Sequence, residues 1–147
     1  MPDVVDPKTR SRMMAGIRGV DTAPEMQVRR YLHARGFRYC LHDRRLPGRP
    51  DLVLPRWGAV VQVQGCFWHA HEACPLFRLP DTRREFWERK LLGNRQRDER
   101  NRQALLDGGW RVATVWECAL RAGDSTPLRR LERWLRSDRG TVLDLRG

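Results

Sequence analysis

The chain has 147 residues, with 29 Lys and Arg against 18 Asp and Glu and a formal net charge of +11. That length suits one domain with a modest core, and no apolar run reaches the roughly 18 residues of a membrane-spanning helix. The first residues, Met1-Pro2-Asp3-Val4-Val5-Asp6, do not read as a secretory leader, so a cytosolic protein is expected. The charge excess bears on partners rather than fold: it points to a polyanion, nucleic acid first and an anionic membrane surface second.

Residues 1–21 are polar and read as a basic arm, with Lys8, Arg10, Arg12 and Arg18 available to phosphates. Thr22-Ala23-Pro24-Glu25 has capping-box spacing with Pro in the first turn, so a helix is expected after Thr22 and a stop at Gly36. Strands are expected at Phe37–Leu41, Asp51–Leu54 and Gly58–Gln64, with Leu46-Pro47-Gly48-Arg49-Pro50 as a turn. Residues 82–106 read as a long charged helix ended by Gly108-Gly109. Trp110–Trp116 reads as a buried strand, and Pro127–Arg136 as a helix with Leu128, Leu131, Trp134 and Leu135 on one side. The order α-β-β-β-α-β-α predicts an α/β fold, a mixed central sheet flanked by helices. Residues 1–147 are expected to form one domain, with 122–147 as a C-terminal basic helix and tail.

Metal-ligand side chains crowd the stretch Gly65-Cys66-Phe67-Trp68-His69-Ala70-His71-Glu72-Ala73-Cys74. Four cysteines in a chain without an export signal favour metal binding over disulfides. Cys66, His71 and Cys74, with the distant Cys118, make a Cys3His set, the composition of a closed structural zinc site. Cys40, in an apolar run, is expected to be a buried free thiol.

An Asp that opens a strand, followed about ten residues later by polar side chains on the next, is a layout shared with restriction-endonuclease-like nucleases. Asp51 and Gln62-Val63-Gln64 fit it. A hard carboxylate there suits Mg²⁺ beside a phosphate, whereas a bland reading leaves Asp51 as a turn cap. Glu25 has two readings as well. It can close the capping box, or it can point along the Val28 and Leu32 face towards the sheet and the metal region. His69 needs no zinc and can serve proton transfer beside a scissile phosphate. Phe67 and Trp68 are either core residues or a wedge inserted between base steps, with Met14 as a helper. On the long helix, Lys90, Asn94 and Arg97 are candidate DNA contacts, and Asp98 stands out as a carboxylate among cations.

Taken together, these motifs resemble the very short patch repair (Vsr) mismatch endonuclease family over nearly the whole chain. The landmarks are Lys8-Thr9-Arg10-Ser11 with Met14, Asp21-Thr22-Ala23-Pro24-Glu25, Leu46-Pro47-Gly48-Arg49-Pro50-Asp51, Gly65-Cys66-Phe67-Trp68-His69, Phe86-Trp87 with Lys90 and Asn94, and Gly109-Trp110-Arg111-Val112 running into Val115-Trp116-Glu117-Cys118. The resemblance implies a zinc-stabilised, restriction-endonuclease-like fold. It also implies a Mg²⁺-dependent nick 5′ of the thymine in a T·G mismatch left by 5-methylcytosine deamination. It makes Asp51 and the Val63 carbonyl Mg²⁺ ligands, His69 the catalytic histidine and Glu25 the holder of a metal-bound water. Phe67, Trp68 and Met14 become the wedge, and Cys66, His71, Cys74 and Cys118 the zinc ligands. This chain departs from the family pattern at Val63, where Thr is usual, and at Gln64, where His is usual. The stretch between His71 and Cys74 is also one residue longer. Mismatch-repair proteins are implied partners, and nothing in the sequence signals an oligomer. The rival readings are a zinc-containing DNA-binding module that has lost catalysis and a basic ribosome-associated protein.

Overall fold

The computed structural model of the chain describes residues 21–137 and 139–147. Of the arm expected over 1–21, residues 1–20, Met14 among them, lie outside the described residues. The elements in order are α1 (Ala23–Ala34), β1 (Cys40–Leu41), β2 (Leu52–Leu54), a 3-10 turn (Pro55–Trp57), β3 (Ala59–Gln64), α2 (Arg84–Asp107), β4 (Arg111–Trp116), α3 (Glu117–Leu120), α4 (Thr126–Arg136) and β5 (Val142–Leu145).

The strands form one mixed sheet in the order β1-β2-β3-β4-β5. The first three are an antiparallel meander. β4 then pairs parallel to β3, and β5 parallel to β4. Each parallel step needs a crossover. α2 supplies the first, and α3 with α4 the second. Side chains alternate across the sheet. Leu52, Leu54, Ala59, Val61, Ala113 and Val115 join Val28 and Leu32 of α1 and Leu128, Leu131 and Leu135 of α4 on one face. Val53, Val60 and Val112 meet Leu105 of α2 on the other. The same alternation puts the buried Gln62, Gln64 and Thr114 on the α2 side, away from the larger core.

Local chemistry sets the boundaries. Thr22 Oγ1 accepts from Glu25 N–H at 3.3 Å, so one half of the capping box forms. α2 ends in a Schellman motif. Trp110 N–H donates to Leu105 O, Gly109 N–H donates to Leu106 O, and Gly109 takes the left-handed φ of +89° that the motif needs.

Three expectations need correction. The strand expected at Phe37–Leu41 shrinks to two residues, because Phe37 turns into the core against Trp57 and Tyr39 donates to Arg29 O on α1. Cys40 is exposed rather than buried, since β1 is a two-residue edge strand with both residues open to solvent. The tail over 122–147 contains a strand, β5, whose Leu145 is buried in the core. Its short alternation after Gly140 is too brief to stand out in sequence.

Leu145→Ala should therefore lower stability by about 2–5 kcal/mol in urea denaturation, the range for emptying a buried leucine site. A loss below about 0.5 kcal/mol, typical of a solvated surface position, would mean that the segment is a free tail.

Candidate active site and metal centre

The parallel register of β3 and β4 sets Gln64 opposite Trp116. The next residues of both strands, Gly65-Cys66 and Glu117-Cys118, therefore emerge at one edge of the sheet. Glu117 Oε1 accepts from Cys66 N–H at 3.3 Å across that edge. From Gly65 the chain coils tightly: His69 N–H donates to Gly65 O, Ala70 N–H to Phe67 O and His71 N–H to Cys66 O. This coil and the left-handed Ala70 and Ala73 bring Cys66, His71 and Cys74 up against Cys118. The ligand atoms of all four lie within 4.8 Å of one another.

The chemistry of this cluster suits a cation. Burial pushes the Cys66 thiol up. Burial also opposes the Cys74 thiolate, yet the Leu76 N–H and the neighbouring Cys66 and Cys118 thiols hold it below its usual value. The His71 imidazole is kept neutral by burial and then by Arg146. A buried neutral imidazole among close thiols is a soft donor set. His71 stacks flat on Trp116, 3.7 Å between centroids and 5° from parallel, and Trp116 Nε1 donates to Asp144 on β5 at 2.8 Å. Gly147 N–H points at Cys118 Sγ, and the Arg146 guanidinium donates to Glu72 O. The last strand thus braces the cluster from behind.

A second constellation lies on the other side of the coil. Asp51, just before β2, accepts from Val63 N–H at 2.7 Å. Gly48 makes this placement possible: its φ is +73°, and a Cβ there would lie 2.8 Å from Asn101 on α2. Glu25 is 1% exposed, yet its carboxylate does not close the capping box. Its Oε2 lies 3.1 Å from Arg29 and 3.2 Å from His42 Nε2, and its Oε1 has no hydrogen-bond partner among the described residues. Asp51 is pushed up to about 8, first by burial and then by the adjacent Glu25 carboxylate, against the pull of the Val63 N–H.

His69 Nδ1 meets Asp98 Oδ2 at 2.5 Å. An Asp on Nδ1 fixes the tautomer and leaves Nε2 for other chemistry. Phe67 and Trp68 are half-buried and sit outside the hydrophobic clusters of the core. Their rings meet each other edge-on at 5.1 Å, and each rests on Trp87 at 5.8 Å. Asn94 uses its amide on Trp68 O at 3.0 Å, holding the coil to α2. Asp51, Val63, Phe67, Trp68, His69, Lys90, Asn94, Arg97 and Asp98 all line one open cleft of about 1960 Å³. That exceeds the 300–1,000 Å³ usual for small molecules and suits a polymer. Nothing in the sequence singles out His42, a lone histidine after a short strand, and Trp87 stood out there as a motif residue without its role as the support of the aromatic pair.

A basic cleft holding the Asp51 carboxylate, a His–Asp pair and a soft-donor cluster behind it is the arrangement of a nuclease-type site. The family model described as "DNA mismatch endonuclease Vsr" matches residues 2–75. The DNA mismatch endonuclease Vsr of Escherichia coli is 44% identical over 92% of this chain and 88% of its own length. The type II nicking enzyme V.XorIIP of Xanthomonas oryzae is 45% identical over 82% of this chain and 88% of its own. The type II nicking enzyme V.NmeAIP of Neisseria meningitidis is 39% identical, over 82% and 86%. The chain belongs to the Vsr family of DNA mismatch endonucleases.

The raised Asp51 carboxyl makes a stability prediction. Its proton is bound up to about pH 8 in the fold and only to about 3.9 in the unfolded chain. Its stabilising contribution is therefore full below about pH 4 and lost as pH rises towards 8. In buffer free of Mg²⁺ and of chelator, Asp51→Asn should exceed wild type in stability by more than about 1 kcal/mol at pH 8, and by little at pH 4. Equal urea midpoints for the two proteins at both pH values would contradict this.

Proposed function

We propose that this chain nicks double-stranded DNA 5′ of the thymine of a T·G mismatch, by Mg²⁺-dependent hydrolysis. The observation that carries the reading is the convergence of Asp51, the Val63 backbone and the His69–Asp98 pair beside two half-buried aromatic rings in a cationic cleft. Asp51 and the Val63 carbonyl would hold Mg²⁺. The unpartnered Glu25 Oε1 is an orphaned buried acceptor, as the holder of a metal-bound water should be. Bound there, Mg²⁺ supplies charge neutralisation at the scissile phosphate.

The protein's own groups do the rest. His69, held through Nδ1 by Asp98, presents Nε2 to take or return a proton during hydrolysis. Lys90 and Arg97, exposed on the cleft wall, supply phosphate contacts. Phe67 and Trp68, backed by Trp87, act as the wedge that unstacks the mismatched step. A T·G wobble stacks less well than a matched pair, so the opening costs less there, on the order of a few kcal/mol per step.

Cys66, His71, Cys74 and Cys118 would hold a structural zinc, closed to substrate and locking the coil that carries Phe67, Trp68 and His69. The five-stranded mixed sheet with carboxylates at its edge supports a restriction-endonuclease-like arrangement. No helix among the described residues is long and apolar enough to cross a membrane. A DNA substrate places the protein in the cytoplasm with the nucleoid.

The test is nick mapping on a duplex with one T·G mismatch, end-labelled on either strand, under single-turnover conditions with Mg²⁺. One break, on the thymine strand and 5′ of that thymine, is expected. Asp51→Ala and His69→Ala should each slow it by at least about 100-fold while DNA affinity stays within about threefold. Wild-type protein that binds the duplex without cutting it would make the chain a DNA-binding module instead.

A further inference from the structure

We propose that His42 is a positioning residue of the active site, fixing the Glu25 and Asp51 carboxylates for the divalent ion. The inference rests on the metal reading above and adds a residue to it. His42 follows β1 and sits between the two carboxylates. Its Nε2 is 3.2 Å from Glu25 Oε2 and its Nδ1 is 3.7 Å from Asp51 Oδ1. Neither contact has the alignment of a full hydrogen bond, and Nε2 is buried without a hydrogen-bond partner. Among the described residues, His42 Nε2 and Glu25 Oε1 are thus both buried without a hydrogen-bond partner. Buried polar atoms without partners are rare and destabilising, so a polar occupant is expected there.

The backbone makes the same point independently. His42 has φ +48°, a left-handed conformation that is unfavourable for a non-glycine residue. It is held there by His42 N–H donating to Asp51 O at 3.2 Å. An extended residue at this place would continue the edge strand and carry the side chain elsewhere. Strain of this kind persists where the surroundings impose it, and it concentrates at functional sites.

A direct metal role for the Asp21, Glu25 and His42 cluster is less favourable. Arg29 already lies 2.7 Å from Asp21 and 3.1 Å from Glu25, and its guanidinium would repel a second cation. Arg29 and His42 instead clasp Glu25 Oε2 from two sides and leave Oε1 available.

The experiment compares wild type with His42→Gln, which keeps a polar hydrogen-bonding group, and His42→Phe, which keeps a ring and no nitrogen. Free Mn²⁺ is titrated by electron paramagnetic resonance on the full chain without DNA, with Asp51→Ala marking the Asp51-dependent site. The Mg²⁺ midpoint of T·G nicking is measured in parallel. His42→Phe should weaken Mn²⁺ binding and raise the Mg²⁺ midpoint by about tenfold or more, as lost outer partners of a metal do; His42→Gln should stay within about threefold of wild type. Wild-type Mn²⁺ binding in His42→Phe, or equal weakening in both variants, overturns the inference about His42 alone. A wild-type protein with no Asp51-dependent Mn²⁺ site overturns the metal reading itself and this inference with it.

Discussion

The parallel pairing of β3 with β4 is the constraint on which both sites depend. It brings the ends of two strands separated by about fifty residues to one edge of the sheet, Gln64 opposite Trp116. Cys66 and Cys118 then stand together, and the intervening α2 must cross back over the same face. That crossing puts Asn94 on Trp68 O, Asp98 on His69 and Trp87 beneath the aromatic pair. A slip of one residue in this register would move every side chain to the other face and separate the cluster. β5 reinforces the arrangement on the far side, through Asp144 on Trp116 and Trp116 on His71.

The site conflicts with the stability of the fold that carries it. Glu25 is a buried carboxylate beside the half-buried Asp51, and burial and then Glu25 push the Asp51 carboxyl up. Arg29 and the Val63 N–H offset part of the repulsion. His42 adds backbone strain. A purely structural design would place apolar side chains here, because burying like charges together costs more than it returns.

Much of the fold was legible in sequence because its signals are local. Thr22-Ala23-Pro24 marked the start of α1, Gly108-Gly109 the end of α2, and the Val-rich runs β3 and β4. The elements that escaped depend on distant partners. β5 is four residues whose burial comes from pairing with β4, and Phe37 leaves its expected strand for a tertiary contact with Trp57. The cysteine cluster was legible because three of its ligands lie within nine residues and soft donors are rare. Glu25 could be read as a cap or as a site residue, and its side chain leaves the capping box for Arg29 and His42 while only its backbone N–H meets the Thr22 hydroxyl. His42 was invisible, since its position follows from a left-handed turn and a register that no short motif encodes. The Asp98 carboxylate stood out among cations, but its partner His69 lies twenty-nine residues away across the crossover.

The account turns on the claim that a single metal at the Cys66, His71, Cys74 and Cys118 cluster locks the coil that bears the wedge and His69. Zinc K-edge X-ray absorption on protein purified without chelator tests it most directly. The account predicts one zinc per chain in a four-coordinate shell of three sulfurs at about 2.3 Å and one nitrogen at about 2.0–2.1 Å. Protein without stoichiometric metal, or zinc in a shell dominated by oxygen, would contradict it.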